Sequence, residues 1–288
     1  MDWLLLLIQT MNGIQYGLLL FLIASGLTIV FGIMGVINLA HGSFYMIGAY
    51  LAFTLTELTG NLFLAIALGV PLTVVLGFVV ERLFMVHVYH RDHLQQVLLT
   101  FGLILIFNEL QQLLWGGDPH GVPIPEMLKG AIPLSDTLSY PVYRLFLSVV
   151  CLVLAAGMYL LIGHSKLGMR IRAGASNQTM LQALGVNVKL MHAGVFAFGV
   201  ALAGLAGMLA APVETVYPGM GEQILIVSFV VVVIGGIGSI RGAFLGALMI
   251  GIADVYGQVF LPGLSSVVIY GVMAAVLLIR PAGLFGRE

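Results

Sequence analysis

Charge is scarce in this sequence. Asp, Glu, Lys and Arg make up 8% of its 288 residues, where a soluble domain carries roughly a quarter. With 60% hydrophobic residues and a mean hydropathy of +1.11, that deficit excludes a soluble fold. The single cysteine, Cys151, falls inside an apolar run, so no internal disulfide can form and the side chain reads as packing. No basic stretch is present that could neutralise a phosphate backbone, and the net charge is −1, which sets nucleic acid aside as a partner. Nowhere does Gly-x-x-x-x-Gly-Lys precede Ser or Thr, so the chain has no phosphate-binding loop to make it an ATPase. His-Glu-x-x-His and Gly-x-Ser-x-Gly are missing as well, and with them the signatures of an intramembrane hydrolase. The expectation is a non-enzyme with no cofactor of its own.

Long apolar runs are what remain. A spanning helix takes about 20 mostly apolar residues, so a chain of this length has room for roughly eight to ten. Runs between polar breaks place helices near 12–34, 36–56, 61–80, 96–115, 142–162, 190–211, 223–240, 242–261 and 265–280. The expected fold class is all-α, a polytopic transmembrane bundle in one domain, 1–288, of about eight or nine spans. Met1-Asp2-Trp3 lacks a basic n-region, so the first apolar segment is expected to be retained. The 37 glycines suit lipid-embedded helices, which use small residues to approach closely. Gly13 with Gly17 and Gly242 with Gly246 have the four-residue spacing of close crossings, read here as packing within the bundle in preference to a dimer seam.

Two helix pairs have almost no linker: Gly32-Ile33-Met34-Gly35 joins the first and Gly235-Gly236-Ile237-Gly238-Ser239 the second. Each is either a tight hairpin or a broken, re-entrant element near 35 or 238. Irregular backbone at membrane depth is tolerated only beside protein or a water-filled path, so a re-entrant break would mark that path. Its candidates are Asn38, His41, Gly42, Gly235, Gly236, Gly238 and Ser239. Asn38 and His41 are polar in an apolar setting and need partners. The preferred reading makes Asn38 the N-cap of the second helix and His41 a hydrogen-bonded buttress.

Basic residues orient the chain. In the nine-span arrangement Arg82, Arg91, Lys166, Arg170, Arg172, Lys189, Arg280 and Arg287 share one side, with Lys129 and Arg144 on the other. The first side is expected to be cytoplasmic, which puts the N-terminus outside, the C-terminus inside and the loop 116–141 in the outer compartment. His87, His90 and His93 recur at spacings of three in an inner loop; successive positions three apart drift round a helix, so the segment reads as a solvated loop and not a metal site.

The longest inner loop, 163–189, reads GHSKLGMRIRAGASNQTMLQALGVNVK. Ser176 as N-cap and Gly185 as the left-handed terminator frame a short helix over 177–184. Met180, Leu181 and Leu184 then share an apolar face. That helix suits the lipid surface, the bundle itself, or a groove on a cytoplasmic ATPase that pushes through it. If transport is active without an internal fuel site, the drive is an ion gradient or a separate subunit. Ion coupling leaves ionisable residues within spans, and Glu109 and Asp254, with Glu57, Glu81 and Glu214 nearer helix ends, form a thin set for a relay.

Four segments carry a resemblance: Gly35-Val36-Ile37-Asn38-Leu39-Ala40-His41-Gly42-Ser43-Phe44-Tyr45-Met46-Ile47-Gly48-Ala49-Tyr50, Glu81-Arg82, the loop from Gly168-Met169-Arg170 to Gly185-Val186, and Gly235-Gly236-Ile237-Gly238-Ser239-Ile240-Arg241-Gly242-Ala243. In this order they resemble the membrane permeases of the high-affinity branched-chain amino-acid (Liv-type) importers, a branch of the ATP-binding-cassette transporters. The resemblance implies a bacterial inner-membrane permease working by alternating access. Its implied partners are a second, longer LivM-like permease, two cytoplasmic subunits carrying ATP and Mg, and a periplasmic substrate-binding protein. It also implies that 163–189 is the coupling segment, with Gly168, Arg170, Arg172, Ala173, Asn177, Met180, Leu181, Leu184 and Gly185 as its contact positions. Such permeases carry branched-chain amino acids, other amino acids, urea, short amides or aromatic acids. After Glu81-Arg82 many members have an Arg-Pro turn; this chain continues Leu83-Phe84-Met85. An ion-coupled secondary transporter is the alternative class.

Overall fold

The computed structural model describes residues 3–89, 91–135 and 138–286. His90 of the histidine series and Arg287 of the basic set lie outside these residues. The helices in chain order are α1 (Trp3–Met34), α2 (His41–Thr59), α3 (Leu62–Leu83), α4 (His93–Trp115), α5 (Val142–His164), α6 (Lys166–Ser176), α7 (Gln178–Ala183), α8 (Val188–Ala210), α9 (Met220–Gly235), α10 (Ile240–Phe260) and α11 (Ser265–Ile279). A small antiparallel hairpin, β1 (Ala131–Pro133) with β2 (Ser139–Pro141), lies in the long loop before α5.

Each expected apolar segment overlaps one of these helices, although residues 236–239 of the expected 223–240 helix form a turn, and the fold is a polytopic all-α membrane bundle. Among the described residues, six helical stretches are long and apolar enough to cross a bilayer: α1, α3 with the turn after it, α4, α5, α8 and α10. The apolar helices α9 and α11, of 16 and 15 residues, are too short by themselves for a core roughly 30 Å thick.

The first helix is already formed at residue 3, nine positions before the expected start at 12. The helix takes in the polar residues Gln9, Thr10 and Asn12. Thr10 Oγ1 donates back to the Leu6 carbonyl at 2.8 Å and lies 2.8 Å from the Tyr256 hydroxyl, and Asn12 Oδ1 accepts from Arg144 at 2.8 Å. A polar side chain that finds a partner inside the bundle does not end a helix.

Helices α1 and α8 form the centre and are buried along most of their length. Around them α3, α4 and α5 turn Leu68, Leu72, Leu98, Phe101, Leu152 and Val153 outward, which lipid tolerates and water does not. The central crossing of α1 on α10 is backbone against backbone. A Cβ on Gly17 would stand 2.8 Å from the Ala247 carbonyl oxygen, and one on Gly251 would stand 2.4 Å from the Gly17 nitrogen. Gly13, Gly17, Gly242 and Gly246 all face helices of this same chain.

The two glycine breaks differ in kind. At the first, Gly35 takes φ +64° and the chain runs back along α1, so that His41 Nε2 donates to the Ile23 carbonyl at 3.1 Å. Ile23 lies eleven residues before the end of α1, roughly 16 Å along the helix. Residues 36–40, expected to be helical, are therefore not. The N-cap position of α2 is Ala40 and not Asn38, whose Oδ1 instead accepts from the Ala40 amide at 3.1 Å; the side chain holds the turn that aims the helix. The second break is a tight turn. Gly236 and Gly238 have φ +92° and +79°, Ser239 caps α10 by accepting from the Gly242 amide at 3.1 Å, and Gly235 packs on Gly242. Leu284 and Phe285 donate to the carbonyls of Ile234 and Gly235 at 2.8 and 3.1 Å, so the last described residues seal this turn.

Helix α9 also starts within the bundle. Its Gly221 lies against Gly42 in the first turn of α2, where a Cβ on Gly42 would stand 2.0 Å from the Gly221 carbonyl oxygen. The connection 211–219 thus folds inward from the end of α8, and Gly219, at φ +81°, turns it into α9.

Candidate functional site

That inward fold leaves a cavity of about 890 Å³ between α1, α2, α5, α9, α10, α11 and the 211–219 connection. Helical spacing accounts for its walls. Asn12, Gln15 and Tyr16 lie on one face of α1, Asp254 and Gln258 on one face of α10, and Met220, Ile224 and Val227 on one face of α9. Tyr45 reaches in from α2 and Arg144 from the first turn of α5. A polar lining of this extent inside an apolar bundle is costly unless it serves a solute or water.

The polar groups are held by specific bonds. Tyr45 Oη donates to Glu214 Oε2 at 2.8 Å, Gln258 Nε2 donates to Asp254 Oδ2 at 2.9 Å, and Tyr217 Oη donates to Gln223 Oε1 at 2.7 Å. Glu214 sits on a fixed backbone. Its own amide donates to the Ala210 carbonyl at 2.9 Å, and two residues later Val216 exchanges both backbone bonds with His120, at 2.8 and 2.9 Å. The His120 ring stacks on Phe53 with centroids 4.3 Å apart, so the loop after α4 clamps the segment that carries Glu214. Burial pushes the Glu214 carboxyl above the usual carboxylate range, while the Tyr45 hydroxyl and the Arg144 charge pull it back.

The seven residues named from the glycine breaks do not line this cavity. Asn38 and His41 are buried; their Nδ2 and Nδ1 atoms have no hydrogen-bond partner among the described residues. Gly42 meets α9, Gly235 meets Gly242, Gly236 meets Gly286, Gly238 meets Gly32, and Ser239 caps α10. Glu214 and Asp254 were visible in the sequence as ionisable residues, but Arg144, Tyr45, Gln15 and Tyr16 were missed as lining groups. Their helix faces converge only after folding. The one signal was Arg144 itself, a charge in the first turn of an apolar helix.

At the other end of α5 the 163–189 segment forms two helices where one was expected. Helix α6 fills 166–176, so Ser176 is its last residue, and the N-cap of α7 is Asn177, whose Oδ1 accepts from the Met180 amide at 2.9 Å. Gly185 ends the pair at φ +81°. Arg172 donates to the carbonyls of Ile162 and Gly163, closing the last turn of α5, and Gly168 packs so tightly there that a Cβ would stand 2.1 Å from the Ile162 oxygen. Leu181 turns inward against Gly174, whereas Met180 and Leu184 are 63% and 73% exposed, so the three do not act as one face. Arg170 and Ala173 are exposed too. Of the histidine series, His87 and His93 lie in the turn after α3 and at the start of α4. No group of three His, Cys, Asp or Glu comes together among the described residues.

Over residues 9–277 the chain matches the family described as branched-chain amino acid transport system / permease component. The chain belongs to that family. It is 34% identical to the high-affinity branched-chain amino acid transport system permease protein BraD of Pseudomonas aeruginosa, covering 97% of this permease-family chain and 95% of the relative. To the corresponding protein LivH of Escherichia coli it is 30% identical, over 97% and 95%. LivM of Escherichia coli is 28% identical over 90% of this chain and 66% of its own length. No solved structure matches. This family member is thus a multi-pass membrane permease whose bundle contains a polar cavity.

Proposed function

We propose that the chain is the permease subunit of an ATP-driven importer that moves branched-chain amino acids or similar small polar solutes across the bacterial inner membrane by alternating access. The observation that carries the reading is the polar cavity of about 890 Å³ in a bundle of the branched-chain amino acid permease family. The N-terminus and the 116–141 loop face the periplasm and the C-terminus the cytoplasm, in keeping with the basic residues of 163–189. A companion permease pairs with it, as the likeness to both LivH and LivM suggests. Two separate cytoplasmic subunits bind and hydrolyse Mg-ATP, since the chain has no phosphate-binding loop, and a periplasmic binding protein delivers the solute.

Coupling runs through 163–189. Met180 and Leu184 are the apolar anchors offered to an ATPase groove, while Gly168, Arg170, Arg172, Ala173, Asn177, Leu181 and Gly185 hold or flank the helix pair that presents them. Asn38, His41, Gly42, Gly235, Gly236, Gly238 and Ser239 form the two breaks at which the bundle rearranges, and the solute enters between them from the cavity. The tagged chain, purified gently, is expected to bring nucleotide-binding subunits with it, and the reconstituted complex to take up L-leucine only with ATP. Uptake by this chain alone that collapses with an ion gradient would overturn the proposal.

A further inference from the structure

The charges in the cavity form no close ion pair with one another. Arg144 enters from α5, Glu214 from the 211–219 connection and Asp254 from α10, yet none of them belongs to an ion pair within 4.0 Å among the described residues; the pairs there are Glu81 with Arg82 and Glu126 with Lys129. Charges inside a membrane protein normally pair with one another. Each of these three is only partly satisfied, Arg144 by Asn12, Glu214 by Tyr45 and Asp254 by Gln258. A guanidinium has five N–H donors, so the bond to Asn12 leaves a fork free for both oxygens of a carboxylate. The same cavity is also lined by apolar residues, Met220, Ile224, Val227 and Val230 of α9 with Ile269 of α11.

One cation, two anions and an aliphatic wall describe the complement of a molecule that carries an anion, a cation and an apolar side chain. We infer that this cavity is a solute-recognition site within the permease for zwitterionic α-amino acids with aliphatic side chains. Arg144 takes the carboxylate, Glu214 and Asp254 flank the ammonium, and the α9 wall takes the side chain. A neutral solute such as urea or an amide would leave all three charges without a counter-ion, at a desolvation cost the site could avoid with uncharged residues. Selection therefore does not rest with the delivering protein alone. The inference depends on the importer reading, and it deepens it by naming the chemistry the permease itself reads.

The test uses the full complex in nanodiscs without binding protein, and radiolabelled L-leucine competed by 3-methylbutylamine, which lacks the carboxylate, and by 4-methylpentanoate, which lacks the ammonium. Each analogue is expected to compete about tenfold to a hundredfold more weakly than leucine, the difference one charge-assisted contact supplies. Arg144→Gln should erase the preference over the amine and leave that over the acid; Glu214→Gln with Asp254→Asn should do the reverse. Arg144→Lys should restore part of the lost preference, and thermal unfolding midpoints near wild type identify the variants that are folded. Equal competition by all three compounds in the wild type overturns the proposal, as does leucine failing to bind a complex that performs ATP-dependent leucine uptake, an outcome that leaves the importer reading standing. If ATP drives no uptake but the two variant sets still split the analogues, the importer reading falls and the site stands.

Discussion

Gln178, at the start of α7, donates through Nε2 to the Ile33 carbonyl at 2.9 Å, one residue before α1 ends. A bond between positions 145 apart ties the loop helices to the helix end that borders the first glycine break. The tie falls one residue before Met34 and two before Gly35, where the chain doubles back to His41. Gln178→Ala removes this tie without touching Met180 or Leu184. In the assembled importer it is expected to leave ATP hydrolysis in place and lower leucine uptake severalfold. Uptake that keeps its wild-type ratio to hydrolysis would show that the push takes another route.

Gly185 offers a sharper version. Its φ of +81° is unfavourable for any residue with a Cβ by roughly 1–2 kcal/mol, and it follows the last turn of α7. Gly185→Glu should reorient that turn and add a charge beside the exposed anchors, separating hydrolysis from uptake while membrane insertion is kept. Wild-type uptake in this variant would count against the coupling role of the segment.

The three apolar residues of α7 should separate by experiment as they do in space. Met180 and Leu184 are exposed and Leu181 is buried. Met180→Ser with Leu184→Ser should reduce co-purification of the ATPase subunits and leave the unfolding midpoint of the chain unchanged. Leu181→Ser should lower that midpoint, because it removes a buried apolar side chain packed against Gly174 of α6.

At the centre of the bundle, Gly251→Leu should destabilise the protein by about 1–3 kcal/mol or more, since there is no room between α10 and α1. Gly102→Leu on α4, where nothing lies within 4 Å of the added Cβ, is the matched control and should change little. Thermal unfolding in detergent measures both.

Glu214 supplies a pH signature. A carboxyl held above its ordinary value of 4.5 favours the folded state most when protonated. Its contribution is fully present below the unfolded value and is lost as pH rises through the higher folded one. Glu214→Gln should therefore flatten the decline in stability with rising pH in that window, and Tyr45→Phe, which removes a donor to the charged form, should move the decline to still higher pH. Unfolding midpoints measured across pH for the three proteins test the sign.

Much of this architecture was legible in one dimension. Nine apolar runs became nine bundle helices, because a lipid-facing segment must satisfy its own backbone and is recognised by length and hydropathy alone. The glycines at 35, 185, 236 and 238 marked real reversals, because positive φ is a local property. The ends of helices were harder. The first helix was expected to start near 12, and Asn38 and Ser176 looked like caps; in each case a partner distant in sequence or a neighbouring turn decided otherwise.

Alone, then, the order of residues determined a membrane bundle, its glycine reversals and an amphipathic segment beyond α5, since each follows from the chain's immediate neighbours. Tertiary structure decided that the first break climbs back to Ile23 whereas the second is a tight turn. It also decided that Arg144, Glu214 and Asp254 face one cavity from three separate elements. The reason is physical: such convergence depends on which helix faces pack together, and close packing of many side chains and glycines at once sets those faces.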